Sequence, residues 1–322
     1  MLAAFARSQS ADDPLSGLEV AERPDPLVPD GWTTVRLRTA ALNHHDVWSL
    51  RGVGLPADRL PMILGCDGAG VSADGDDVIV HAVVASPGWS GDETLDPRRS
   101  LLSEVHDGTL AEVVTVPTAN LVRKPEGLSW EHAACLPTAW LTAYRMLFSN
   151  AGVRPGSTVL VQGAAGGVAT ALVQLGSAAG IRMWVTSRDP ARGEQAVALG
   201  ADRAFGSGER MPERVDAVME TVGAATWSHS INSLRPGGSI VISGATSGDA
   251  PAKAELTKIY FKQLRVIGST MGSRDELESL ARFVVGAGIE PLVDSTMPLA
   301  DAREGFARMV EGQVTGKVVF TV

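Results

Sequence analysis

Between Val159 and Leu175 the chain reads VLVQGAAGGVATALVQL, and this stretch restricts the fold more than any other. An apolar strand runs into Gly163, a glycine turn follows, and a helix begins near Gly167. Gly163 permits a sharp turn, while Gly166 and Gly167, followed by Val168, let a pyrophosphate approach the backbone; Ala169 lets the helix lie close to the strand. Such a phosphate rests at the positive N-terminus of the helix. The plainer alternative is a tight turn with no ligand. Pro155 to Ile181 carries no charged residue and is long enough to span a bilayer. Glycines interrupt it, and it changes from strand-like to helix-like, which argues against a membrane helix.

Around this loop, strand and helix signals alternate from Ser129 onward. TAWLTAYRMLFS reads as an amphipathic helix, STVLVQ as a strand, GGVATALVQLGSAAG as a helix and RMWVTS as a strand. ARGEQAVALG, RVDAVME, TWSHSINSL and GGSIVIS continue the alternation, and LRVIGST closes it after a short helix. This succession predicts an α/β fold with a doubly wound parallel sheet. The tail adds helices in DELESLARFVVGAG and ADAREGFARMVEG and a last strand in GKVVFTV. The opening 120 or so residues differ: GLEVAE, TTVRLRTAAL, DDVIVHAVV and LAEVVTV read as strands without parallel βαβ spacing, which suggests a compact antiparallel barrel. SPGWSGDETLDPRRS (86–100) reads as a long surface loop.

The second strand of the parallel series ends WVTSRDPARGE. An acid at its end would bind both ribose hydroxyls of NAD and repel a 2′-phosphate. Ser187 and Arg188 stand there instead, with Arg192 one turn into the helix, and a hydroxyl with two guanidinium groups suits a phosphate dianion. The pattern favours NADP over NAD; solvated helix charge is the plain alternative. Asp189, before Pro190, reads as a helix N-cap. The net charge of −9 disfavours nucleic acid and anionic membranes as partners. Two cysteines, Cys66 and Cys135, make neither a disulfide framework nor a four-thiolate zinc site. MLAAFARSQSADD shows no basic leader with an apolar run of signal length, so a cytoplasmic location is expected.

GCDGAGV (65–71), DGTLAEVVTVP (107–117), LPTAWLTAYRML (136–147), VRPGSTVLVQGAAGGVAT (153–170), LRPGGSIVISG (234–244) and GKVVF (316–320) together resemble the medium-chain dehydrogenase/reductase superfamily. The resemblance is to its zinc-free quinone-oxidoreductase-like branch, including members labelled zinc-type alcohol dehydrogenase-like, and it spans essentially the whole chain. It implies a GroES-like catalytic domain (1–124 and 272–322), an inserted Rossmann NADP-binding domain (125–271) and an active site between them. Zinc relatives place their ligands where this chain has Asn43, Cys66 and Thr138, with Asp67 at the neighbouring acid. One thiolate, an amide and a hydroxyl do not make a tetrahedral zinc site, so no metal is expected.

In LNHHDVWSL (42–50) the resemblance makes Asn43 a donor to a substrate carbonyl or to the nicotinamide, and His45 a proton relay, with Asp46 placed to orient the loop. Loop-stabilising histidines are the plain alternative, and neighbouring His44 and His45 point different ways, so they cannot share one role. Thr138 is a further candidate donor. Cofactor contacts are expected from Gly163, Gly166, Gly167, Val168, Ser187, Arg188, Arg192 and Gly244. The resulting expectation is a homodimeric, NADPH-dependent, metal-free reductase of quinones or α,β-unsaturated carbonyl compounds. The alternatives are an NADPH-binding redox sensor or scaffold with little turnover and, more weakly, an alcohol dehydrogenase.

Overall fold

The apolar run Thr158–Gln162 forms a strand buried along its whole length, as the centre of a parallel sheet requires. In the computed structural model, which describes residues 1–322, this strand belongs to a unit spanning Thr142–Thr270. Its sheet runs Arg203–Gly206, Arg182–Ser187, Thr158–Gln162, Val215–Glu220, Leu234–Ile242, Arg265–Gly268, all parallel. The strand order reverses at Thr158–Gln162, so a crevice opens at the carboxyl ends of this strand and of Val215–Glu220. Leu160, Trp184, Val218, Ile231 and Ile240 form its core. The uncharged stretch resolves into that central strand and the 12-residue helix Gly167–Ala178. No helix is long and apolar enough to cross a membrane.

The other unit comprises Met1–Leu141 and Met271–Val322. In Trp32–Ala41, buried Val35 and Leu37 alternate with exposed Arg36 and Arg38, the signature of a sheet with one face packed. This strand pairs antiparallel with Asp67–Ser72 on one side and with the C-terminal strand Lys317–Thr321 on the other; Val113–Pro117 also joins it. A smaller sheet orders Leu18–Glu22, Leu2–Ala6, Met62–Ile63. The unit is GroES-like and the whole chain α/β, as the sequence suggested. The strands Leu2–Ala6 and Val293–Pro298 and the short helix His44–Leu50 were not foreseen.

TAWLTAYRMLFS is helical but irregular. Leu136–Trp140 and Arg145–Ala151 are π-helical, and Pro137, which lacks an N–H, sits in the first of them.

Candidate active site

Strand register assembles the first half of the site. Ala41 is the last residue of its strand and pairs with Asp67 on one neighbour and Val319 on the other. Continuing the second register by two residues each way sets Lys317 opposite Asn43, where the chain leaves the sheet and starts the helix His44–Leu50. Lys317 and Asp67 are 2% and 0% exposed, and the ammonium and carboxylate meet at 2.7 Å. Lys317 Nζ also donates to Asn43 Oδ1 at 2.6 Å and to Leu42 O at 2.8 Å. All three ammonium hydrogens thus have an oxygen. Because an ammonium only donates, Asn43 faces it through its oxygen, which leaves Nδ2 as the end not held by Lys317. Nδ2 makes a long 3.5 Å contact with Ala41 O and lies near enough to Asp67 to act on its carboxyl. Burial pushes the Asp67 carboxyl above its ordinary value, while Lys317, Thr138 and Asn43 pull it back down.

The second half lies one residue along the helix. His45 Nε2 is 2.8 Å from Glu104 Oε1, and its Nδ1 is 3.6 Å from Cys66 Sγ and 4.0 Å from Asp46 Oδ1. Burial alone would lower the imidazole, but the groups around it outweigh burial and hold His45 well above the usual histidine range. Among the groups that raise it Cys66 comes first, followed by hydrogen bonds to Asp46 and Glu104; burial in turn raises the Cys66 thiol, which donates to Leu102 O at 3.3 Å. Asp46 itself is fully buried and accepts from Asn43 N at 2.8 Å and Gly65 N at 2.9 Å, tying the helix start to the neighbouring turn. Glu104 is delivered by a turn through buried Ser103, whose φ of +67° is unusual for a side-chain-bearing residue.

Thr138 lies in the π-helical stretch Leu136–Trp140. Its hydroxyl is buried without a hydrogen-bond partner of good geometry, although it is near enough to help hold Asp67 ionised. His44 is exposed and stands apart from the His45 pair. Cys135 donates to Glu131 O at 3.2 Å within its own helix, and burial pushes its thiol up to about 12. No group of three or more His, Cys, Asp or Glu side chains is placed to hold a metal ion. Sequence reasoning singled out Asn43, His45 and Thr138 but missed Lys317 and Glu104. A lysine opening the otherwise apolar strand KVVF was the available signal for the first; nothing local marks the second.

In the parallel-sheet unit, Gly163 follows the central strand with φ +93°, a conformation that favours glycine. Gly166 precedes the helix Gly167–Ala178, and a Cβ built on it would meet nothing within 4 Å, so its backbone is open to a ligand. Val168 is in the first turn of that helix, and Gly244 follows the strand Leu234–Ile242. Ser187 ends its strand, but its hydroxyl is held locally, donating to Asp189 O at 2.7 Å. Asp189 Oδ1 accepts from Ala191 N at 2.9 Å, the N-cap role read from its place before proline. Arg188 is exposed, and Arg192 Nε is 3.8 Å from Asp189 Oδ2.

A glycine turn at the switch point of a parallel sheet, carried on one chain with a GroES-like unit, is the build of a dehydrogenase or reductase. Residues 29–126 match the family model described as alcohol dehydrogenase GroES-like domain, and 167–286 the one described as zinc-binding dehydrogenase. The chain belongs to the medium-chain dehydrogenase/reductase superfamily, whose members here are oxidoreductases. It is 31% identical to acryloyl-coenzyme A reductase of Metallosphaera sedula over 95% of this chain and 96% of that protein. The crystal structure of an NAD-dependent alcohol dehydrogenase matches with a TM-score of 0.92 and 35% identity, covering 100% of both chains. The 2-octenoyl-CoA carboxylase reductase CinF, solved with NADP and 2-octenoyl-CoA, matches with a TM-score of 0.88 and 25% identity over 99% of this chain and 87% of that one.

Proposed function

We propose that this protein is an NADPH-dependent reductase of α,β-unsaturated carbonyl compounds, with enoyl thioesters and quinones as the classes to test, and that it works without a metal. The observation that carries this reading is the pair of groups at the start of the helix His44–Leu50: an Asn43 amide held through its oxygen by Lys317, and a His45 imidazole paired with Glu104. Bound NADPH supplies a hydride to the substrate's electron-poor β-carbon. The electron pair of the double bond then moves toward the carbonyl oxygen. Asn43 Nδ2, with Thr138 Oγ1 as a second donor, stabilises the charge that develops there. His45, whose pKa its neighbours Cys66, Asp46 and Glu104 raise, delivers a proton from its protonated form to the α-carbon, directly or through water.

The residues at the family's zinc-ligand positions do not fit zinc. Asn43 Oδ1 and one oxygen of Asp67 are taken up by an ammonium, which repels a second cation, while the Cys66 thiol is protonated and donates to Leu102 O. The region matched by the zinc-binding description, 167–286, contains none of these positions. A second reading, alcohol oxidation with NAD, is supported by the likeness to the NAD-dependent alcohol dehydrogenase.

One assay decides among these readings. Purified protein incubated with chelator should oxidise NADPH with an enone, enoyl-CoA and quinone panel, and should bind NADPH more tightly than NADH. Replacing Arg188 and Arg192 by Ala should erase most of that preference. Turnover only with NAD, an alcohol and added zinc would establish the second reading; tight NADPH binding without any turnover would leave a sensor or scaffold.

The raised His45 sets a pH prediction. A proton donor of this kind is competent below its pKa, so turnover should decline as pH rises through it. Glu104→Gln removes one negative neighbour and should move that alkaline limb acidward. An unmoved limb in folded Glu104→Gln would take His45 out of the proton step.

The strand Arg265–Gly268 is a sheet edge, and Leu256, Tyr260, Phe261 and Val266 beside it are exposed at 68%, 62%, 74% and 45%. This supports a homodimer formed by edge-to-edge pairing of two sheets. A monomer by sedimentation at micromolar concentration would exclude it.

A further inference from the structure

Lys317 is a buried charged group for which the hydride and proton steps have no use. A lysine is expensive to bury, and this one is surrounded by three oxygens supplied by two segments: the consecutive residues Leu42 and Asn43, between the strand Trp32–Ala41 and the helix His44–Leu50, and the strand start at Asp67. We infer that Lys317 is the positioning residue of the site, a resident cation that seizes the Asn43 amide by its oxygen and so makes the N–H₂ end the group offered to a substrate oxygen.

Three observations support the assignment. An amide has two ends of nearly equal size, and without a donor-only neighbour it can present either one; an outward oxygen would repel a developing oxyanion. The orientation is fixed from behind, by a strand that enters the sheet some 270 residues later in the chain, since Lys317 and Asn43 are separated by 274 positions. Asp67, the acid paired with the ammonium, balances its charge and keeps it at the point where Asn43 Oδ1 and Leu42 O converge. The inference rests on Asn43 being the donor, and deepens that reading by naming what aims it.

The test uses the full-length protein with NADPH and whichever panel substrate is turned over. Lys317→Met with Asp67→Leu removes the cation and its counter-charge together, leaving an apolar site of similar volume, so the fold should survive. In the otherwise unchanged protein this pair should lower kcat at least tenfold while leaving NADPH affinity within about threefold. In an Asn43→Ala background the same pair should lower kcat less than twofold, because there is no amide left to aim. Equal losses in the two backgrounds, or no loss in the first, would overturn the inference.

A readout independent of activity is the ¹⁵N–¹H signal of the Lys317 ammonium. It should persist at pH 8, where exposed lysines exchange their protons with water, disappear in Lys317→Met with Asp67→Leu, and shift in Asn43→Ala. A missing signal, or one unmoved by Asn43→Ala, would refute the hold on the amide. Unaltered turnover in folded Asn43→Ala would instead remove the donor role from the proposed function, and the ammonium signal would then decide the Lys317 contact by itself.

Discussion

Asn43→Ala should lower kcat by about 10²–10³-fold, the usual cost of deleting one donor to a developing oxyanion. The loss should be shared by kcat and kcat/KM, since the contact strengthens as charge builds on the oxygen; loss of uniform binding would raise KM alone. NADPH affinity should change by less than about tenfold, or ~1.4 kcal/mol, because the glycine turn that would take the cofactor lies elsewhere in the chain. Stability should drop by about 1.5–3 kcal/mol, as the Lys317 ammonium loses one charge-assisted partner. The shape of the pH profile should be retained, which separates Asn43 from His45. If Asn43 only ties down its loop, the folded fraction of the variant will turn over normally. Kinetics across pH, normalised to folded protein, tell these outcomes apart.

Lys317→Met alone should destabilise the protein by about 3–5 kcal/mol, because it strands Asp67 as an unpaired charge at a fully buried position. Adding Asp67→Leu should recover most of this, since replacing both members of a buried pair by apolar groups is often neutral. The pH dependence has a definite sign. Asp67 already sits above its unfolded value, so its contribution to stability is fully present below the unfolded pKa and is lost as pH rises through the folded one. Removing Lys317 takes away the strongest group pulling that pKa down, and the window moves further up. The single variant should therefore be much closer to the unmodified protein at pH 5 than at pH 8. Denaturant titrations at the two pH values check this, and a deficit independent of pH would mean that Asp67 is not the origin of the loss.

Much of the architecture is written locally. The apolar run before Gly163, the glycine turn and the helical spacing after it suffice for a strand–turn–helix, because each depends on residues a few positions apart. Three more strand–helix units and a closing strand predict the parallel sheet, and the alternation of Val35 and Leu37 with Arg36 and Arg38 predicts a sheet with one packed face. The N-cap at Asp189 was equally legible, since Asp before Pro is a short-range signal with one geometric outcome. The strands Leu2–Ala6 and Val293–Pro298 were not, because their pairing partners, not their own composition, hold them extended.

The site divides in the same way. Asn43 and His45 were visible as residues of a motif, but which end of the amide is held, and what pairs with the imidazole, were not. Those properties belong to Lys317, 274 positions away from Asn43, and to Glu104, 59 positions away from His45. Strand register brings the first into place and a strained turn at Ser103 the second. The sequence by itself determined the turns, the periodicities and the types of polar group available. Only the tertiary structure decided their orientation and partners, because hydrogen bonds and Coulomb attraction act over a few ångströms of space regardless of separation along the chain.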